Sequence, residues 1–152
     1  KGNDEWNSYY KNVELTTFIK GDLDRLYLNG VDDDYFQSKI HRDLLLAILF
    51  IWSVEHPEIS YRQGMHEIVG TILYTLDNER ILIQKTISEG HIPYTHSVFS
   101  LLNENNIEAF TYSLFDRVMI ELVALYDPLP VQGLDSQPFV VHYCAKIQEH
   151  YL

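Results

Sequence analysis

Along most of this chain the apolar positions recur at helical spacing, three or four residues apart, and not in the alternation of a half-buried strand. From Val13 to Tyr27, the residues Leu15, Ile19, Leu23 and Leu26 mark one amphipathic helix. A second and more strongly periodic set, Phe36, Ile40, Leu44, Ala47, Ile48 and Ile51, predicts one long helix with those residues as its buried face. It stops at His56-Pro57, because proline disfavours helical geometry in the residue before it. Met65, Ile68, Val69, Ile72, Leu73 and Leu76 form a third buried face, with an end expected near Asp77-Asn78. Ile107, Phe110, Leu114, Val118, Leu122 and Leu125 make a fourth, closed by Asp127-Pro128-Leu129-Pro130. Pro138 suits the first turn of a last helix, whose Val140, Cys144, Ile147 and Tyr151 share a face.

Between these segments the pattern is weaker. Trp6, Tyr9 and Tyr10 are expected to anchor an otherwise polar N-terminal stretch, Lys1 to Ser8, onto the core. Asn29-Gly30 is a turn, and the acidic run Asp32 to Asp34 reads as a helix start, with Asp34 as N-cap and Gln37 as its third-position partner. No EF-hand spacing follows those aspartates, which argues against calcium. Ile81-Leu82-Ile83 fits either a short strand or a buried helical turn, and Ser88 to His96 reads as loop. The sum is an all-α fold, a compact multi-helix domain with no fixed-period repeat.

Composition narrows the function classes. At 152 residues and 46% hydrophobic, the chain supports one domain with a substantial core. A net charge of -11 argues against nucleic acid and for basic partner surfaces, because phosphate binding requires a basic field. The one cysteine, Cys144, cannot form an internal disulfide and reads as a reduced core thiol of a cytoplasmic protein; with His142 it makes only a weak metal pair. No apolar run reaches the length of a membrane span. The chain begins without methionine and its last helical pattern meets no stop signal, so a fragment truncated at the C-terminus is expected.

The chemistry concentrates in two places. Asp22 and Arg25 stand three residues apart, on neighbouring positions of one face if the segment is helical. As an exposed pair they would contribute only about 0.2–0.5 kcal/mol. Tyr61-Arg62-Gln63-Gly64-Met65 lies between two long helices, and Gly64 permits a constrained bend at Gln63. The histidines lack His-x-x-x-His spacing, so no metal site is expected. Neither a phosphate-binding Gly-x-x-x-x-Gly-Lys loop nor a Gly-x-Ser-x-Gly elbow is present.

Taken together, Ile19-x-x-Asp22-x-x-Arg25 followed by Tyr61-x-Gln63-Gly64-Met65 resembles the paired signature motifs of the TBC family of Rab GTPase-activating proteins. Glu108-Ala109-Phe110 and Leu114-Phe115 are similar to that family's acidic-aromatic helix, and Trp6 to Tyr10 and Gln148 to Leu152 resemble its retromer-associated endosomal branch. The resemblance covers nearly the whole chain and implies that residues 1–152 are a partial TBC domain, the N-terminal, finger-bearing lobe. It implies two catalytic groups acting in trans on a GTP-bound Rab: Arg25, stabilising charge on the phosphates, and Gln63, orienting the attacking water. Asp22 would hold the Arg25 guanidinium in a planar, two-donor geometry; Tyr61 would buttress the bend and Gly64 would admit the partner's backbone. Ile19 and Met65 would be structural parts of the motifs. The chain would bind no cofactor of its own, since Mg²⁺ and GTP belong to the GTPase, and it would be an activator and not itself the hydrolase. Retromer or an endosomal coat would be further partners, with a cytoplasmic location peripheral to endosomal membranes.

Three positions depart from the pattern. Leu26-Tyr27 follows the arginine where a small polar residue is more usual, Asp24 stands where an apolar residue is common, and His66 replaces a frequent asparagine. Asp24 is thereby expected to compete with a phosphate for Arg25. The alternative reading is a non-catalytic TBC-like helical module that binds a Rab or an endosomal coat as a scaffold.

Overall fold

Trp52, 1% exposed, is the largest of the fully buried side chains. The computed structural model describes residues 2–28, 31, 33–91, 102–103 and 106–126; helices provide all the regular structure among them, and no strand occurs. These are α1 (Gly2–Leu23), α2 (Asp33–Gln37), α3 (Lys39–Glu55), α4 (Met65–Ser88) and α5 (Ile107–Tyr126). Residues Lys1–Phe115 pack as one unit and Asp116–Leu152 as another, and the site described below lies in the first. The helix expected from Pro138 onward, with Cys144 and His142, lies outside the described residues.

In the first unit α1 and α4 both pack on α3, and α1 also touches α4. The expected faces of α1 and α4 are largely those observed: Ile19, Leu23 and Leu26 are buried, as are Met65, Val69, Leu73 and Leu76. The face of α3 is different. Leu45, Ile48, Leu49 and Trp52 point inward, whereas Ile40 is 75% exposed and Ile51 46%. Since α3 is apolar on nearly every side, its sequence carries two interleaved stripes. The one containing Trp52 is buried, with the Phe115 ring of α5 edge-on against the indole at 5.6 Å. Nor is the segment from Phe36 one helix: the chain breaks at Ser38 (ψ 127°) between α2 and α3, and Asp34 lies within α2 and not at the N-cap position expected for it.

Three further expectations are corrected. Helix α1 begins at Gly2, and on it Trp6, Tyr9 and Tyr10 pack against one another while remaining about 60% exposed; they do not anchor onto the core. Ile81-Leu82-Ile83 is helical, inside α4. That helix does not end at Asp77-Asn78 but at Ser88, with Glu89 as its cap and Gly90 following at φ 77°. The amide of Gly90 bonds Ile87 O at 2.9 Å and that of His91 bonds Thr86 O at 3.1 Å, the paired bonds of a Schellman closure. Asp77 is instead a buried carboxylate that accepts from Arg80 Nε at 2.8 Å and from the Tyr35 hydroxyl at 3.3 Å, tying α2 to α4. Burial, then the Asp77 charge, raises the Tyr35 phenol well above the usual tyrosine range.

Candidate functional site

The last turn of α1 tightens as it ends. Asp24 still bonds back to Lys20 O, but the amides of Arg25 and Leu26 reach only three residues back, to Asp22 O at 3.1 Å and Leu23 O at 3.2 Å. That contraction sets Arg25 directly over Asp22, although Arg25 itself stands past the helix end. Leu23 and Leu26 are buried on either side, so the chain cannot roll and Arg25 is left outside.

The second half of the site is built by the turn before α4. Helix α3 stops at Glu55, ahead of Pro57, and Ser60 takes φ 55° while its amide bonds His56 O at 2.7 Å. The following residue, Tyr61, is thereby turned inward and is 5% exposed. Next, the amide of Met65 bonds Arg62 O at 3.2 Å, closing a turn with Gln63 and Gly64 at its centre. Gly64 has φ 98° and ψ -23°, whereas Gln63 keeps a negative φ, the order of a type II turn, which favours glycine third. Met65, fully buried, nails the turn down, and its sulfur accepts the Arg62 amide at 3.2 Å. Gln63 is left exposed, its side-chain amide uncommitted among the described residues.

One carboxylate joins the halves. Asp22 is buried, 3% exposed, and divides its oxygens: Oδ1 accepts from Arg25 Nη2 at 2.9 Å and Oδ2 accepts from the Tyr61 hydroxyl at 2.8 Å. The expected two-donor grip on the guanidinium is therefore not made, because Tyr61 takes the second oxygen. Arg25 is held at one point, with its side chain 74% exposed, so four of the five guanidinium N–H donors remain for another molecule. Phe18 of α1 stands edge-on to Tyr61 at 5.6 Å and completes the packing of its ring.

Two residues that were only departures from a motif acquire places here. Asp24 does not compete for Arg25, since it pairs with Arg42 of α3 instead. Arg42 carried no signal of its own in the sequence. His66, in the first turn of α4 and 6% exposed, meets the Tyr61 hydroxyl through Nδ1 at 2.8 Å. Burial lowers its pKa below the ordinary 6.5; Asp22 and Glu67 oppose that shift and Arg25 adds to it. Ile19 is core, fully buried beneath the site. A cavity of about 280 Å³ lies beside Asp24, between α1 and α3. Its charged lining holds two internal pairs, Asp24 with Arg42 and Lys39 with Asp43, together with Lys20. Among the described residues no helix is long and apolar enough to cross a membrane.

Residues 1–143 match the Rab-GTPase-TBC domain family. Over 127 residues, 84% of its length, the chain is 31% identical to TBC1 domain family member 5 homolog B of Dictyostelium discoideum. It is 30% identical over 116 residues to TBC1 domain family member 5 of Mus musculus, covering 75% of the chain. With GTPase-activating protein GYP3 of Saccharomyces cerevisiae the identity is 28% over 100 residues, 60% of the chain. The matched regions span only 12%, 13% and 15% of these three relatives. No solved structure gives a significant match.

Proposed function

This chain belongs to the Rab-GTPase-TBC domain family, and on that premise we propose that it accelerates GTP hydrolysis by a Rab-type small GTPase, as the N-terminal, finger-bearing part of a TBC domain. One observation carries the reading. A buried carboxylate, Asp22, ties an exposed arginine and, through Tyr61, the turn that carries an exposed glutamine, so both groups stand on one hydrogen-bonded scaffold. Arg25 enters the partner's nucleotide site and neutralises charge that develops on the phosphoryl oxygens. Gln63 orients the attacking water. The Mg²⁺ and GTP are the partner's, and this chain contributes only side chains.

Magnitudes favour a catalytic use of Arg25 over a structural one. A salt bridge with a largely exposed arginine contributes no more than about 1 kcal/mol. An arginine delivered into a water-excluded phosphoryl-transfer site is typically worth about 10³–10⁵ in rate, or roughly 4–7 kcal/mol of barrier. Asp24 adds support, because its pairing with Arg42 neutralises a nearby acid that would otherwise oppose a phosphate. The name of the yeast relative, a GTPase-activating protein, supports an activator acting on a GTPase; the motif resemblance supports an endosomal setting in which retromer is a further partner.

Single-turnover GTP hydrolysis across a panel of GTP-loaded Rabs tests the proposal. The wild-type chain accelerates at least one of them, Arg25→Ala abolishes the acceleration, and Gln63→Ala strongly reduces it. Arg25→Lys does not restore it, since a point charge cannot reproduce the planar fork. Binding of a Rab with flat hydrolysis rates from every variant would replace this reading with that of a scaffold.

A further inference from the structure

We infer that His66 is a positioning residue for Arg25, acting through the Tyr61 hydroxyl and the Asp22 carboxylate. The direction of the hydrogen bonds carries the argument. Asp22 as a carboxylate only accepts, so the single proton of the Tyr61 hydroxyl is committed to Oδ2 at 2.8 Å. The 2.8 Å contact between that hydroxyl and His66 Nδ1 then has one possible donor, the histidine. His66 therefore carries its proton on Nδ1, and the chain runs His66 to Tyr61 to Asp22, with Arg25 arriving at the far oxygen. A histidine proton on Nε2 would present a lone pair to the Tyr61 oxygen and draw the hydroxyl proton away from Asp22. Oδ2 would then turn to the guanidinium and shift Arg25.

The groups that face the imidazole are Asp22 and Arg25 from the end of α1, Tyr61 from the turn, and Glu67 from α4, whose Oε1 is 4.0 Å from Nε2. Beside the Tyr61 oxygen, the Asp22 carboxylate is too far to take Nδ1–H, with Oδ2 3.9 Å away. Asparagine can take the same part. Its Nδ2 stands two bonds from Cβ, as histidine Nδ1 does, and is always a donor. Leucine fills the space and donates nothing.

The inference rests on the reading of Arg25 as the group delivered to a GTPase, and the experiment separates the two. In the 152-residue chain, long-range ¹H–¹⁵N NMR of labelled histidine should find His66 neutral near pH 7 with its proton on Nδ1. An Nε2–H tautomer would overturn the inference. Guanidinium ¹⁵N relaxation should show Arg25 less ordered in His66→Leu and restored in His66→Asn; unchanged Arg25 order in His66→Leu, with native far-UV circular dichroism, counts against it. If His66→Leu does not fold, the wild-type tautomer decides. With an accelerated GTPase in hand, His66→Leu should lower kcat about 10- to 100-fold at little change in KM, and His66→Asn should recover it. Flat hydrolysis rates from the wild type would overturn the GTPase reading alone, since the two NMR measurements decide the role of His66 without a partner.

Discussion

At the scale of single residues, the site depends on who donates and who accepts. Asp22 is buried and yet carries a charge, which a protein interior tolerates only where partners satisfy it. Arg25 and Tyr61 do so from opposite sides. His66 belongs to the same group, and its lowered pKa has a consequence for stability. Between the lowered folded value and the ordinary 6.5, the unfolded chain binds the proton and the folded chain does not. Stability therefore rises with pH across that window and falls as pH drops through it. Urea denaturation from neutral to mildly acid pH should show this loss setting in below about 6.5 for the wild type. The slope should be shallower in His66→Asn, which has no imidazole at that position to take up the proton; equal slopes would remove His66 from the account.

At the scale of elements, the two catalytic candidates stand on helix ends and not on helix faces. Arg25 emerges where α1 tightens into its last turn, and Gln63 sits on a turn whose glycine opens α4. Both ends are fixed by what is buried beside them: Leu23 and Leu26 for the first, Tyr61 and Met65 for the second. Trp52, in the last turn of α3, is 1% exposed, with His56 stacked at 4.3 Å and Phe115 edge-on. Trp52→Ala should cost about 3–5 kcal/mol of stability. It should do so without touching Asp22, Arg25 or Gln63, so residual activity per folded molecule should survive. Chemical denaturation together with activity scaled to folded fraction checks both halves of that expectation.

At the scale of the whole molecule, charge is the dominant property. A net charge of -11 over 152 residues sets up a field that attracts basic surfaces and repels phosphates. On the proposed reading Arg25 would work locally against the sign of its own chain, and a partner with a basic rim around its nucleotide site is the better electrostatic match. Association with such a GTPase should slow as salt rises, while the rate of the bound complex changes little. Stopped-flow association at low and physiological ionic strength measures the first, and single-turnover hydrolysis at saturation measures the second. A salt-independent association rate would mean that charge does not steer the encounter.

What the sequence determined on its own is considerable: an all-helical fold, the buried faces of α1 and α4, the stop at His56-Pro57, and the two motifs that carry Arg25 and Gln63. These follow from local properties, namely spacing, proline and glycine, that act within one or two turns of chain. Tertiary structure decided the rest. Which stripe of α3 is buried could not be read from a helix apolar on nearly every side, because only its packing against other helices, Trp52 against Phe115 among them, breaks the tie. The true end of α4 was hidden because Asp77 looks like a breaker, and only its contacts with Arg80 and Tyr35 make it a helical, buried residue. Within the site, the pairing of Asp24 with Arg42 and of His66 with Tyr61 joins separate elements. Those bonds depend on distances across space, which no pattern along the chain records.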